Sequence, residues 1–327
     1  MQPVLVTGGA GYIGSHTVQA LARSQIPVIV LDNLSSGHRE AVCAPYFYQG
    51  DIADSRLVEH IIKEHGIRSV IHFAARSLVG ESFVKPEYYF RENTIKSFAF
   101  FDLAIKNGVK NVVFSSTAAV YGAPGHQPIV EETVLSPINP YGASKRMIEE
   151  YLEWQGRAHD VKWVTLRYFN AAGASLDSSL GEDHHPETHL IPLVMQTLLG
   201  RRDKIAVYGS DYPTIDGSCI RDYVHVVDLA KAHVAALNAL ENGLEKGVFN
   251  VGTGKGLSVL EIINKSAGVA GRRLKIDYED RRQGDPPVLI ADSTSIQKTL
   301  GWKPRYSDLE TILVSAWNWH SSHPSGF

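Results

Sequence analysis

A tyrosine and a lysine four residues apart, Tyr141 and Lys145, are the pair in this sequence best suited to catalysis. They follow Pro137 and Pro140, where a helix is expected to begin, so the spacing places both side chains on one helix face. A free tyrosine has a pKa of about 10, but a nearby ammonium group favours the phenolate and lowers that pKa. Such a phenolate can take a proton from a hydroxyl while a hydride leaves the same carbon, and the hydroxyls of Ser115–Thr117 would face the same place. Taken alone, the pair also fits a solvated helix face.

The N-terminal segment predicts a site for the hydride acceptor. The motif Gly9-x-Gly11-x-x-Gly14, with Gly8 before it, lies between an apolar run and a helical pattern. Glycines at these positions allow a tight turn, let the backbone approach a pyrophosphate, and let the helix pack closely on the strand. The N-terminus of that helix then offers free N–H groups to the phosphates.

Acidic and small residues follow the next apolar runs. Asp32 lies 18 residues after Gly14, and its carboxylate suits a ribose diol and would repel a 2′-phosphate. Asn33, not an arginine, follows it, so NAD is favoured over NADP. Asp51 follows a third predicted strand and could meet the adenine amino group, and Phe73–Ala75 ends a fourth, where small residues permit close approach of a cofactor. The last two segments also fit an ordinary strand-end turn or tight packing.

Apolar runs and helical patterns alternate through the first half of the chain. Runs such as Val28–Leu31 and Trp163–Leu166 are typical of buried parallel strands. Repeated βαβ units predict an α/β fold with a doubly wound parallel sheet, the Rossmann arrangement. The pattern changes after Gly173, with a polar loop over Ser175–Thr188. We therefore expect a NAD-binding Rossmann domain over residues 1–173 and a smaller α/β substrate domain over residues 174–327, in which residues 222–251 fold back onto the first sheet.

Composition excludes several classes of protein. The chain has 327 residues and a net charge of −3, which argues against an overall polybasic nucleic-acid binder. Two cysteines cannot form a disulfide framework, and the N-terminus lacks the pattern of a signal peptide. No apolar stretch is long enough to cross a membrane. A cytoplasmic protein with no nucleic-acid or membrane partner is expected.

Motifs along nearly the whole chain resemble the extended short-chain dehydrogenase/reductase family. TGGAGYIGSH, LDNLSSG, NPYGASK and LRYFNAAG match its cofactor-binding half. GEDHHPETHLIP, VYGSDYPTIDGSCIRDYVHVVDLA and RRQGDPP are more specific, and they resemble the members of the family that act on UDP-sugars. The resemblance implies a NAD-dependent isomerase that inverts C4 of UDP-glucose or UDP-galactose through a 4-keto intermediate. It also implies a homodimer.

The resemblance assigns roles to individual residues. Tyr141 matches the catalytic base, Lys145 its partner, and Thr117 the hydroxyl that binds the sugar 4-oxygen. The positions that match NAD contacts are Gly8, Gly11, Tyr12, Ile13, Gly14, Asp32, Asn33, Asp51, Ile52, Phe73, Ala74, Ala75, Ser115, Tyr141, Lys145 and Tyr168. The positions that match UDP-sugar contacts are Thr117, Asn170, His189, Leu190, Tyr208, Arg221, Arg282, Asp285 and Leu289.

Two positions depart from the family pattern. Ser77 stands where many members have a lysine near the nicotinamide ribose, and His189 stands where many have an asparagine. A metal site on His184, His185 and His189 is not expected, because Pro186 interrupts helical spacing and no cysteine lies near.

The choice of substrate is left open by the sequence. In the family, the residue at the position of Leu289 gates the sugar pocket, and leucine is intermediate in size, so N-acetylated UDP-sugars are a possible second substrate class. A UDP-uronate or UDP-pentose 4-epimerase would share the whole catalytic core. A non-catalytic NAD-sensing protein would not need Tyr141 and Lys145.

Overall fold

The computed structural model describes residues 2–282 and 284–327 of the chain. Its strands are β1 (Val4–Thr7), β2 (Val28–Asp32), β3 (Tyr46–Gln49), β4 (Ser69–His72), β5 (Asn111–Thr117), β6 (Lys162–Tyr168), β7 (Asn170–Ala172), β8 (Ile205–Tyr208), β9 (Ile220–His225), β10 (Lys246–Val251), β11 (Gly256–Ser258), β12 (Ile276–Glu279) and β13 (Val288–Leu289). Seven of them form one parallel sheet in the order β10-β6-β5-β4-β1-β2-β3. The order reverses beside β1, which confirms the doubly wound fold expected from the sequence.

The helices cover both faces of this sheet and extend beyond it. They are α1 (Tyr12–Arg23), α2 (Ser55–His65), α3 (Val79–Val84), α4 (Pro86–Tyr89), α5 (Lys96–Lys106), α6 (Pro140–His159), α7 (Leu190–Leu198), α8 (Val226–Glu241), α9 (Val259–Ala270), α10 (Thr294–Leu300) and α11 (Leu309–Ser322), with 3-10 turns at Arg39–Ala41 and Ala118–Tyr121 and a π-helical segment at Phe90–Ile95. Among the described residues, none of these helices has the length and apolar character needed to cross a membrane.

Alternating side chains of the strands fill two separate cores. Val4 and Val6 of β1 pack on one face of the sheet, under α1 and α8, whereas Leu5 packs on the other face with residues of α2, α5 and α6. Successive side chains of a strand point to opposite faces, so a strand covered on both sides is apolar throughout. This explains why the sequence runs are continuous and do not alternate with polar residues.

The second half of the chain forms most of two small sheets and also adds one strand to the large sheet. β9 pairs with β7, β11 and β13, and β8 pairs with β12. A third core lies among α7, α9 and α11. Between β9 and β11 along the chain, α8 packs on α1, and β10 pairs in parallel with β6 at the edge of the large sheet.

Local structure agrees with the sequence-based expectation at the start of α6. The helix expected to begin near Pro137 and Pro140 begins at Pro140, because Asn139 caps it by accepting a hydrogen bond from the Gly142 N–H at 2.7 Å. Helix α5 is preceded by the π-helical segment Phe90–Ile95. The expected loop over Ser175–Thr188 contains no regular element.

Candidate active site

A cleft of about 1120 Å³ lies along the carboxyl ends of the central strands. Strands β1 to β6 all end at this edge, which is where open parallel sheets bind their ligands. The predicted site residues that line the cleft are Gly8, Gly11, Tyr12, Ile13, Gly14, Asp32, Asn33, Asp51, Ile52, Phe73, Ala74, Ala75, Thr117, Tyr141, Lys145, Tyr168, Asn170, His189, Leu190, Tyr208, Arg221, Arg282, Asp285 and Leu289. Ser115 is buried and is not among the lining residues.

The glycine turn has the shape that a pyrophosphate requires. A Cβ on Gly14 would lie 2.1 Å from the Gly8 carbonyl oxygen, and Gly8 itself has a φ of +72°. A Cβ on Gly11 would meet only that same carbonyl oxygen, at 3.5 Å, so the turn is open on this side. Gly11 caps α1 without a side chain, which leaves the first N–H groups of the helix free for an anion.

Two carboxylates follow this turn along the sheet edge. Asp32 accepts hydrogen bonds from the N–H groups of Ala10 at 2.9 Å and Leu34 at 2.8 Å, which hold its carboxylate at the end of β2. Asp51 is paired with the Lys96 ammonium at 2.7 Å. Partial burial would raise the pKa of Asp51, but the hydrogen bond from Lys96 helps to lower it. Both carboxyl groups are therefore oriented before any ligand binds.

The candidate catalytic group is formed by α6 and the end of β5. The Lys145 ammonium donates to the Ser115 carbonyl oxygen at 2.9 Å and lies 5.0 Å from the centre of the Phe114 ring. The Ser115 hydroxyl contacts the Tyr168 hydroxyl at 2.9 Å. Ser115 therefore contacts Lys145 and Tyr168, both of which line the cleft, without lining the cleft itself.

The pKa values of this group are set mainly by burial. Burial raises the pKa of Tyr141 above its ordinary value, whereas the neighbouring Thr117 hydroxyl lowers it. Burial lowers the pKa of Lys145 to about 7, against the opposing effect of Glu149. In the protein alone, desolvation therefore outweighs the hydrogen bond that lowers the pKa of Tyr141. The lowered pKa expected from the sequence includes the effect of a positive nicotinamide ring beside Tyr141, and it stays a prediction.

A buried ion pair supports Lys145 from one helical turn away. Glu149 accepts hydrogen bonds from the Arg167 guanidinium at 2.6 Å and 3.1 Å, and both side chains are only 6% exposed. Ser116 donates to the same carboxylate, and Tyr121 contacts Arg167 at 2.9 Å. Removing one partner of such a pair leaves a buried charge uncompensated, at a cost of about 3–5 kcal/mol. This network fixes α6 against β5 and β6, and therefore fixes Lys145.

The predicted substrate residues on the other side of the cleft are paired with each other. The Arg221 guanidinium forms an ion pair with Asp285 and donates to the Ile220 carbonyl oxygen at 2.8 Å. The Arg282 guanidinium lies 3.8 Å from the centre of the Tyr208 ring. Arginine is suited to a diphosphate because its planar fork donates two parallel hydrogen bonds.

Leu289 is held by its backbone from two sides. In β13 it lies in register with Arg221 of β9. On the other side, the Gln127 amide donates to the Val288 carbonyl oxygen at 3.0 Å and accepts from the Ile290 N–H at 2.9 Å. Gln127 thus fixes both peptide groups that flank Leu289.

The loop before α7 brings together side chains that sequence spacing keeps apart. Glu182, His184, Glu187 and His189 each offer one ligand-type atom, and these atoms lie within 4.8 Å of one another. Burial would lower the pKa of His189, but Glu182 and Glu187 raise it to about 9. The argument from helical spacing does not apply here, because all of Glu182–Thr188 is irregular and His189 only caps α7.

Sequence reasoning missed several residues of this site. Lys96, Glu182 and His184 line the cleft, and Gln127 and Glu149 hold lining residues in place. The spacing of Lys145 and Glu149, four residues apart on a helix, was the one signal that could have been used. Lys96 and Gln127 act on partners distant in sequence, and Glu182 and His184 lie in an irregular loop that follows no spacing rule.

Comparison with known proteins places the chain in a family. The model of the NAD dependent epimerase/dehydratase family matches residues 4–252. The UDP-glucose 4-epimerase of Halalkalibacterium halodurans is 50% identical over 324 residues, which cover 99% of this chain and 97% of that protein. The chain belongs to the NAD-dependent epimerase/dehydratase family.

Solved structures of this family have the same fold. The UDP-glucose 4-epimerase of Brucella ovis in complex with NAD superposes with a TM-score of 0.95 at 44% identity, covering 97% of this chain and 98% of that one. The enzyme of Bifidobacterium longum in complex with NAD+ and UDP has a TM-score of 0.95 at 39% identity, covering 100% of both chains. The open side of the Gly11 turn, the free N–H groups of α1 and the Asp32 carboxylate fit the NAD of this epimerase/dehydratase family.

Proposed function

We propose that this chain is a UDP-glucose 4-epimerase that interconverts UDP-glucose and UDP-galactose with NAD as its resident cofactor. The observation that carries the proposal is that Tyr141, Lys145 and Thr117 line one cleft with Arg221 and Arg282. The first three are groups for proton transfer, and the two arginines suit a diphosphate. The identity of about 50% to a UDP-glucose 4-epimerase over almost the whole chain supports the same function.

The mechanism begins with the deprotonation of the sugar. Bound NAD would accept the C4 hydride and later return it, and its positive ring would favour the Tyr141 phenolate. Tyr141 takes the proton of the 4-hydroxyl, while Thr117 holds the 4-oxygen and Lys145 stabilises the phenolate. Because the pKa of Lys145 is about 7 in the protein alone, its ammonium form is substantially populated at neutral pH.

Inversion requires the sugar to turn while the nucleotide stays in place. Arg221 and Arg282 hold the diphosphate, so the 4-keto sugar can rotate about its link and present its other face. Tyr141 then returns the proton to O4, and the base becomes the acid by simple reversal. Holding the substrate by groups remote from C4 places the binding energy away from the reacting carbon.

A direct assay tests this function. Purified protein is expected to convert UDP-galactose into UDP-glucose without added cofactor and to carry NAD when denatured and extracted. UDP-uronates and UDP-pentoses serve as comparison substrates. Faster turnover of either comparison substrate would reassign the enzyme to another 4-epimerase. Absence of turnover on every UDP-sugar, with NAD bound, would make the chain a non-catalytic NAD-binding protein.

The homodimer is part of the proposal, and an exposed apolar face supports it. Met147 is 44% exposed and Trp154 65% exposed on α6, where they flank Tyr151 on one helix face. The Tyr151 ring stacks on Phe98 of α5 at 4.2 Å, which extends this face across two helices. Large apolar side chains grouped in this way mark an interaction surface, and a second copy of the chain would cover it.

Light scattering of the purified protein measures the number of chains in the assembly. The wild type is expected to have the mass of two chains, and Met147→Glu/Trp154→Glu the mass of one. Val84→Glu, at an apolar position that is 78% exposed on α3, is the matched control and should remain a dimer. A wild-type mass of one chain would contradict the assembly and leave the activity untouched.

The domain division and the location complete the proposal. We assign residues 1–173 to NAD binding and residues 174–327 mainly to UDP-sugar binding, with residues 222–251 folding back onto the first sheet. The pairing of β10 with β6 supports this last part. The two free cysteines, Cys43 and Cys219, support a reducing compartment such as the cytoplasm.

A further inference from the structure

Four side chains of the loop before α7 converge on one point beside the cleft. The carboxylates of Glu182 and Glu187 are 4% and 5% exposed, and the imidazoles of His184 and His189 lie against them. One donor atom from each residue falls within 4.8 Å of the other three. Two buried carboxylates this close together need positive charge beside them, which protonated imidazoles or a bound cation can supply.

The distances around His184 leave a gap in the hydrogen bonding. Nδ1 of His184 is 3.5 Å from Glu182 Oε1 and 3.5 Å from Glu187 Oε2. This nitrogen is buried and has no hydrogen-bond partner among the residues that the structure describes. In a four-coordinate zinc site with bonds of about 2.0 Å, ligand atoms lie about 3.3 Å apart. The two distances around His184 are close to that spacing, whereas His189 and Glu182 are in direct contact and would move apart around an ion.

The rest of the loop orients the carboxylates towards this point. Glu187 Oε1 accepts hydrogen bonds from the N–H groups of Thr188 at 2.7 Å and His189 at 2.9 Å, which leaves Oε2 facing His184. Nδ1 of His189 contacts the same Oε1 of Glu182 that faces His184. The Tyr12 ring packs edge-on against the His184 ring, with the two ring centres 6.3 Å apart, on the side of the cluster where α1 begins.

We propose that Glu182, His184, Glu187 and His189 form a binding site for one divalent transition-metal cation, for which Zn²⁺ is the matching ion. Two imidazole nitrogens and two carboxylate oxygens suit zinc, whereas magnesium and calcium favour oxygen ligands throughout. The ion supplies the positive charge that the buried carboxylates require. This site lies beyond the epimerase mechanism, which uses none of its atoms for proton transfer.

The position of the site defines what the ion does. His189 caps α7, and Leu190 begins that helix and lines the cleft. Tyr12 begins α1 and donates to the Gly173 carbonyl oxygen at 2.6 Å. The ion therefore cross-links the loop that carries predicted substrate residues within itself, beside Tyr12 at the start of the cofactor-binding helix, as structural zinc sites do.

Metal content and stability test this site without measuring activity. The full chain is stripped with a chelator, incubated with ZnCl₂ alone, desalted and analysed for metal. One zinc per chain and a rise in Tm of about 2 °C or more are expected. Cobalt(II) in place of zinc should give the visible absorption of a four-coordinate site.

Matched variants separate this cluster from ordinary surface histidines. His184→Gln and Glu187→Gln should each weaken zinc binding about tenfold or more. His185→Gln is the control, because its imidazole lies in the same loop, is 79% exposed and is outside the cluster. If the two cluster variants fail to fold, the stoichiometry and cobalt spectrum of the wild type and of His185→Gln decide the question. Zinc well below one per chain in the wild type, or equal binding by wild type and folded His184→Gln, would overturn the proposal.

Discussion

The cofactor side and the substrate side of the cleft differ in the groups that face the ligand. On the cofactor side, the groups that face the cleft are backbone turns and strand ends, such as the Gly11 turn and Asp32, which two N–H groups hold in place. On the substrate side they are side chains that contact each other, with Arg221 on Asp285 and Arg282 on Tyr208.

This difference separates a prearranged site from one that must exchange partners. The backbone of a parallel sheet is fixed by hydrogen bonds that ligand binding does not disturb. The arginines, in contrast, must leave or share their present partners when a diphosphate arrives, and that exchange reduces the net affinity. The cofactor side should therefore bind tightly throughout turnover, whereas the substrate side should bind and release.

Tyr141→Phe should have the largest effect on turnover, because Tyr141 lies where the cofactor side and the substrate side of the cleft meet. Removing the hydroxyl leaves no group to take the proton of the 4-hydroxyl, so kcat should fall about 10³-fold. NAD content and Tm should stay near the wild-type values, because the ring remains. Tyr151→Phe, on the same helix with its hydroxyl 3.2 Å from Asp102, is the control and should keep wild-type turnover. Most of the turnover surviving in Tyr141→Phe would remove this residue from the mechanism.

Acid should destabilise the protein through the buried histidines of the large sheet and its covering helices. Burial lowers the pKa of His72 to about 3 and that of His233 to about 4, below the unfolded value of 6.5. The unfolded chain therefore takes up protons first, so stability is present above about pH 6.5 and is lost as the pH falls towards 4 and then 3. Each pKa unit is worth about 1.4 kcal/mol, so the free energy of unfolding should fall by a few kcal/mol.

Urea unfolding at pH 7.5 and pH 5 measures this loss. His233→Leu should flatten the pH dependence by about one proton, because the side chain that takes up a proton on unfolding is gone. The variant loses the hydrogen bond between His233 Nδ1 and the Leu229 carbonyl oxygen, whereas Nε2 has no partner among the described residues. An unchanged pH dependence in this variant would show that His233 is not neutral in the folded protein.

Arg221→Gln should weaken substrate binding and leave the cofactor side intact. Charge-assisted hydrogen bonds contribute about 1.5–3 kcal/mol, so KM for UDP-galactose should rise about 10- to 100-fold with a smaller change in kcat. The bound NAD should be unchanged. Arg281→Gln is the control, because Arg281 pairs with the exposed Asp211 and does not line the cleft. Equal KM values for wild type and Arg221→Gln would contradict the division between the two sides.

Leu289→Tyr should have the smallest effect on activity, and this effect should differ between substrates. The larger ring should reduce turnover of UDP-N-acetylglucosamine relative to UDP-glucose by about tenfold, since steric differences in a pocket are worth about 1–3 kcal/mol. The ratio of kcat/KM for the two substrates measures it. If that ratio does not change, Leu289 is only a packing residue.

The cofactor side was predictable from the sequence because its signals are local. The glycines, Asp32 and the pair Tyr141 and Lys145 each lie within one short segment, and the parallel sheet places them at one edge. The sequence could not show which of several opposing physical effects decides the pKa and the contacts of a side chain. Desolvation decides the pKa of Tyr141, and the reach of Lys145 to the Ser115 carbonyl depends on how α6 packs on β5.

The substrate side was predictable in its residues but not in their contacts. Arg221 and Asp285 are 64 residues apart, and Gln127 reaches the peptides beside Leu289 from more than 160 residues away. No periodicity links such partners. A metal site on the histidines of the loop before α7 was not expected from the sequence for a related reason, because the argument used helical spacing and an irregular loop follows no such rule.

A deuterium label at C4 tests the central claim most directly. UDP-galactose deuterated at C4 is incubated with the purified protein in ordinary water, and the UDP-glucose formed is analysed for the label. If the hydride leaves and returns within one closed cleft while Tyr141 handles only the hydroxyl proton, the product keeps its deuterium at C4. Loss of the label to water would mean that C4 is deprotonated and reprotonated, which would contradict this account.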